Sequence, residues 1–118
     1  MTGEPPLAFV VEPHGGPAIE IRVNFGVFAG RAASPAEIDG LAHRLLAEVA
    51  DVTIVAEERH EFDVSVEASV HQVRIEVGAD LAPADARERK QLAERLRADA
   101  ELWARACIAE RHFDAADL

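Results

Sequence analysis

Hydrophobic and polar positions alternate most cleanly between residues 19 and 27, where Ile19, Ile21, Val23, Phe25 and Val27 interleave with Glu20, Arg22, Asn24 and Gly26. A period of two predicts a strand that buries one face. Phe28 breaks the alternation and Gly30 follows, so this strand is expected to bulge or end there, ahead of the loop Arg31-Ala32-Ala33. The shorter apolar run Leu7-Ala8-Phe9-Val10-Val11 predicts an edge strand before it, stopped by Pro13 and joined through His14-Gly15-Gly16-Pro17.

The period changes after residue 33. Ser34-Pro35-Ala36-Glu37 has the chemistry of a helix start: a hydroxyl to accept from a free N–H, a proline where the N–H would be orphaned, and a glutamate able to reach back. Ile38, Leu41, Leu45 and Val49 then recur at helical spacing, with Leu46 widening the stripe. Gly40 lies inside this helix, either tolerated or selected for a close approach.

Val52 to Ala56 predicts a third strand, and the charged run Glu57-Glu58-Arg59-His60-Glu61 a solvated turn. Phe62, Val64, Val66, Ala68 and Val70 alternate next, but the phase slips to Val73, Ile75 and Val77. A single strand from Phe62 to Val77 therefore needs a bulge near His71-Gln72, or a second turn there. Gly78 closes it, and Pro83 opens a final helix to about Arg111. That helix is long for so small a domain, and its bulky positions Leu92, Leu96, Leu102, Trp103, Cys107 and Ile108 are diluted by alanine. It is expected to bend near residues 98–101 or to bury an alanine-lined face against a partner.

The order ββαββα predicts an α+β two-layer sandwich: a four-stranded, mostly antiparallel sheet with both helices on one face. The other sheet face should carry Glu20, Arg22, Asn24, Asp63, Ser65, Glu67, Ser69, Arg74 and Glu76, polar and of mixed sign. With 118 residues the chain is read as a single domain, 1–118, with flexible ends at about 1–6 and 113–118.

Composition adds limits. Alanine supplies 23 residues and aromatics only 5%, so the core rests on Val, Ile, Leu and a few rings. The formal charge of −10 is shared by both halves, with nine acids against four bases up to residue 60 and thirteen against eight after it. No concentrated basic face exists, which argues against nucleic acid and anionic membranes as partners. A lone cysteine, Cys107, excludes an intrachain disulfide and fits a reducing, cytoplasmic setting. The first thirty residues do not read as a signal peptide, and no apolar run is long enough for a membrane span.

Candidate chemistry is sparse. Gly26 and Gly30 lack the third glycine of a dinucleotide loop and the Gly-Lys of a phosphate loop. Gly30, Arg31 and Ser34 could still converge on a carboxylate or phosphate at the start of the first helix, although pairing of Arg31 with a local acid is the simpler expectation and an Arg31 in solvent the remaining one. His14, His43, His60, His71 and His112 form no compact ligand set; His60 and Glu61 could join Glu57 or Glu58 around a divalent ion at the hairpin tip, but a polar turn is the simpler reading. Cys107 follows Trp103 by one helical turn, in surroundings that suit packing rather than nucleophilic attack.

No cofactor, metal or catalytic residue is therefore assigned. The expectation is a non-catalytic protein-interaction or scaffold module, homodimeric through the long C-terminal helix with Leu96, Leu102, Trp103 and Ile108 as anchors. The alternative is a small protein or enzyme that binds an anionic ligand at Gly30, Arg31 and Ser34.

Overall fold

The computed structural model describes residues 6–13, 15–62 and 67–117. Its elements are β1 (Ala8–Val11), β2 (Pro17–Val23), α1 (Phe25–Ala29), α2 (Pro35–Leu45), β3 (Thr53–Phe62), β4 (Glu67–Gly78) and α3 (Ala86–Asp117). The strands form one antiparallel sheet in the order β1-β2-β4-β3. This is the expected α+β arrangement with one further short helix, α1.

One sheet face is the core. Ala8, Ile19, Ile21, Val23, Val73, Ile75 and Val77 are buried there, with Ile21 opposite Ile75 and Val23 opposite Val73. Over them α3 lies on β1 and β2, α1 lies on β4, and α2 packs against α3. Leu41, Leu45 and Leu96 are fully enclosed.

The strand expected to reach Val27 stops at Val23. Asn24 is the reason. Its N–H makes a last ladder bond to the Leu7 carbonyl at 2.8 Å, but its backbone leaves the extended region (φ −80°, ψ 60°) and its side chain is fixed, with Nδ2 donating to the Pro6 carbonyl at 2.8 Å and Oδ1 accepting from Gln72 Nε2 at 2.7 Å. With the chain pinned there, α1 turns Phe25 into the core, where its ring stands 5.3 Å from that of Trp103, and leaves Val27 half exposed. Gly26 is seated on β4: a Cβ at this position would lie 2.8 Å from the His71 nitrogen. Gly30 ends the helix with φ of 74°, a conformation that suits glycine.

The charged run 57–61 is strand rather than turn, because β3 continues through it in unbroken register with β4, Glu58 opposite His71 and His60 opposite Ser69. The turn of this hairpin, together with the expected positions Val64, Val66, Asp63 and Ser65, lies outside the described residues, as do His14 and residues 1–5. No bulge interrupts the β3–β4 register at His71-Gln72. The phase slip instead coincides with the end of β2 pairing at Val23–Val73, beyond which α1 takes the place of a neighbouring strand. The irregularity in register falls in β2, between Pro17 and Ile19.

Helix α2 begins as its sequence indicates, with a capping box in which Glu37 N–H donates to Ser34 Oγ at 3.2 Å and Ser34 N–H donates to Glu37 Oε1 at 2.9 Å. Helix α3 begins three residues after Pro83, with Asp85 accepting from the Glu88 N–H at 3.0 Å, and runs unbroken past residues 98–101 to Asp117. At about 1.5 Å per residue it spans roughly 48 Å, comparable to the 47 Å longest extent of the molecule. Its buried stripe is Leu92, Ala93, Leu96, Ala100, Trp103, Ala104 and Cys107. The alanines expected to dilute the packing are part of it: Ala93, Ala100 and Ala104 are buried in this chain's own core. No helix among the described residues is long and apolar enough to cross a membrane.

Candidate functional site

At the start of α2, Arg31 and Ser34 meet around a carboxylate that the chain itself supplies, Glu37, whereas the Gly30 N–H donates to the Gly26 carbonyl at 2.9 Å and closes α1. Arg31 Nη1 and Nη2 donate to the two Glu37 oxygens at 2.7 and 2.8 Å, and the Ser34 N–H adds a third donor to the same group. The guanidinium is held from the other side by the Phe25 ring, 5.3 Å from its centroid. The bidentate bond from Arg31, joined by the Ser34 backbone donor, lowers the Glu37 carboxyl to about 2. The same bond raises Arg31 above its ordinary value. The cup has the donor chemistry of an anion site, and an outside anion would have to displace Glu37 from it.

The four anchor residues expected on α3 separate. Leu96 is fully buried and Trp103 nearly so, both inside this chain's core, and the Trp103 indole donates to the Glu37 carbonyl at 2.8 Å. Ile108 is partly buried against the same core, and Leu102 is exposed at 56%. Around Leu102 the helix surface is laced by Arg97 to Glu94 and Glu101, and by Arg105 to Glu101, at 2.7–3.0 Å.

No family profile, curated protein or solved structure matches this chain.

Concave regions lie elsewhere among the described residues. A cavity of about 210 Å³ lies between α1, the loop before α2 and the β3–β4 hairpin, lined by Phe25, Ala33, Glu57, Glu58, His71 and Gln72. Its acids do not act together, since successive strand residues face opposite sides; Glu57 turns with Arg74, 3.4 Å away, and Glu58 lies across from His71. Among the described residues no group of three or more His, Cys, Asp or Glu side chains converges as a metal site.

The larger region, about 550 Å³, is a groove between the β1–β2 end of the sheet and the first turns of α3. Val10, Ala18, Ile19, Ala86 and Ala93 give it an apolar floor, and Arg87, Arg89 and Lys90 line the α3 side, with Glu12 opposite. The linear sequence hides this grouping because Asp85 and Glu88 alternate with the three cations. Helical spacing is the signal that recovers it: Ala86, Arg89, Lys90 and Ala93 lie three and four residues apart, on one side of α3.

Proposed function

We propose that the chain is a non-catalytic protein-interaction module, working in the reducing cytoplasm, whose docking surface is the groove between β1 and α3. The observation that supports this is the groove's position: an apolar-floored trough over the β1–β2 end of the sheet, next to the edge strand β1, where Val10 is 44% exposed. Edge strands offer unpaired backbone groups to another chain, and a neighbouring apolar floor adds the burial that makes such pairing persist. A homodimer through α3 is the second reading, favoured by the exposure of Leu102. Anion binding at Gly30, Arg31 and Ser34 ranks below both, because Glu37 already holds the Arg31 and Ser34 donors and the Gly26 carbonyl holds that of Gly30.

A benzophenone amino acid placed at Val10, at Leu102 or at the exposed Gly40, and photolysed in the native cells, tests the readings together. Docking at the groove gives a discrete adduct from position 10 that positions 102 and 40 do not give. An adduct from position 102 at twice 12.8 kDa supports the α3 homodimer. Identical patterns from all three positions, or no adduct from any, would overturn the interaction reading.

A further inference from the structure

We infer that the groove receives an extended acidic segment of another protein, added to the sheet as a fifth strand along β1. The inference rests on the docking role proposed above and names the partner's chemistry.

The ladder sets the geometry. The Asn24 N–H donates to the Leu7 carbonyl at 2.8 Å, and the β1–β2 register pairs Phe9 with Arg22 and Val11 with Glu20. In an antiparallel ladder hydrogen-bonded pairs recur at every second residue, so positions 7, 9 and 11 turn their peptide groups towards β2. Ala8 and Val10 consequently turn their N–H and C=O groups to the outer edge. Between residues 8 and 11, Ala-Phe-Val-Val contains none of the charged or proline residues that blunt an edge strand. Pro13, two residues further on, limits how far pairing can run.

Side-chain alternation then sets the chemistry. An added strand would place every second side chain on the α3 side, beside Val10 at the rim of the groove and towards Arg87, Arg89 and Lys90. Three cations face one carboxylate, Glu12, in a chain whose formal charge is −10. Arg22, Arg31, Arg74, Arg95, Arg97 and Arg105 are tied into ion pairs elsewhere. Arg89 holds the entry to α3 through the Pro83 and Ala84 carbonyls at 3.1 Å, and Arg87 and Lys90 have no ion pair among the described residues. A second copy is the poorer occupant: across a two-fold β1–β1 contact these cations would face their own images, and two strongly acidic chains would be brought together.

The test uses the full chain and labelled peptides of alternating valine with glutamate, alternating valine with lysine, and the glutamate peptide N-methylated along its outward backbone. The glutamate peptide should bind roughly tenfold or more tightly than the lysine peptide at low salt and weaken as salt is added. N-methylation should abolish binding, and the Arg87→Glu/Lys90→Glu variant, with its urea midpoint as the folding control, should reverse the preference. Equal binding of both charged peptides, lost on N-methylation, overturns the acidic partner while the docking role stands. Equal binding of the methylated peptide overturns strand addition. A dimer abolished by Val10→Asp gives the groove to a second copy and overturns the inference alone; no binding by any peptide, with no adduct at position 10, overturns both proposals.

Discussion

Glu37 joins three parts of the structure through its carboxylate, its N–H and its carbonyl. Its carboxylate ties Arg31 to the start of α2, its N–H closes the capping box on Ser34, and its carbonyl receives the Trp103 indole from α3. Because its carboxyl falls to about 2 from an ordinary value of 4.5, the ionised form is favoured by folding. That contribution is fully present above about 4.5 and fades as pH falls towards 2. After allowing for solvent that still reaches the pair, it amounts to about 1–2 kcal/mol. Glu37→Gln should therefore lie about 1–2 kcal/mol below the parent near neutral pH, with the gap closing as pH falls through the range in which Glu37 protonates. Urea titrations of both proteins across that range check this; a gap constant with pH would show that the carboxylate charge is not what holds the cup together.

At the scale of elements, two glycines separate what patterning reveals from what it hides. Gly40 sits inside α2 in open space, with nothing within 4 Å of the point a Cβ would occupy, so it is tolerated rather than required. Gly26 sits in α1, where a Cβ would stand 2.8 and 2.9 Å from His71 backbone atoms. Gly40→Ala should stabilise by roughly 0.5–1 kcal/mol, through helix propensity. Gly26→Ala should destabilise by about 2 kcal/mol or more, since backbone rather than a flexible side-chain end must move. Denaturant midpoints of the two variants should move in opposite directions, and a Gly26→Ala protein as stable as the parent would contradict the close seating of α1 on β4. The same contrast explains which features are legible from residues alone. Ser34 and Glu37 announce α2 because a capping box is local, and Ile21, Val23, Val73 and Ile75 announce the core face because burial follows strand period. Phe25 and Val27 continue that period without sharing its cause: the Asn24 side chain, held by Pro6 and Gln72, ends the strand, and those partners are distant in sequence. For the same reason the charged 57–61 segment reads as a turn, although pairing with β4 holds it in the sheet. Arg31 and Ser34 stand out as a pair in the sequence, whereas Glu37 shows there only as a capping residue and not as the carboxylate that fills their cup.

The whole molecule is a two-layer structure whose open face is charged and laced by ion pairs, although Glu57 Oε1 and Arg74 Nε are buried there without a hydrogen bond. On the sheet side away from the helices, Arg22 donates to Glu20 Oε2 and Gln72 Oε1 at 3.0 Å, and Arg74 lies 3.4 Å from Glu57 and 3.3 Å from Glu76. Local pairing therefore accounts for many of the 12 basic residues, and the surplus of −10 remains spread over the surface. Two effects of added salt oppose each other. Screening weakens exposed pairs such as Arg95–Glu48 and Arg105–Glu101, at a few tenths of a kcal/mol each. It also relieves repulsion among surplus carboxylates confined within a body whose radius of gyration is 15.2 Å. For a sphere of about 20 Å radius carrying that charge, raising salt from about 10 mM to about 150 mM relieves on the order of 3 kcal/mol, part of which the expanded unfolded chain shares. The second effect is the larger, so stability should rise by about 1–2 kcal/mol over this range, seen as a higher urea midpoint in sodium chloride. A midpoint that falls with salt would mean that the arginine–carboxylate pairs outweigh the surplus charge, and that the acidity of the surface is balanced by pairing more closely than the residue counts imply.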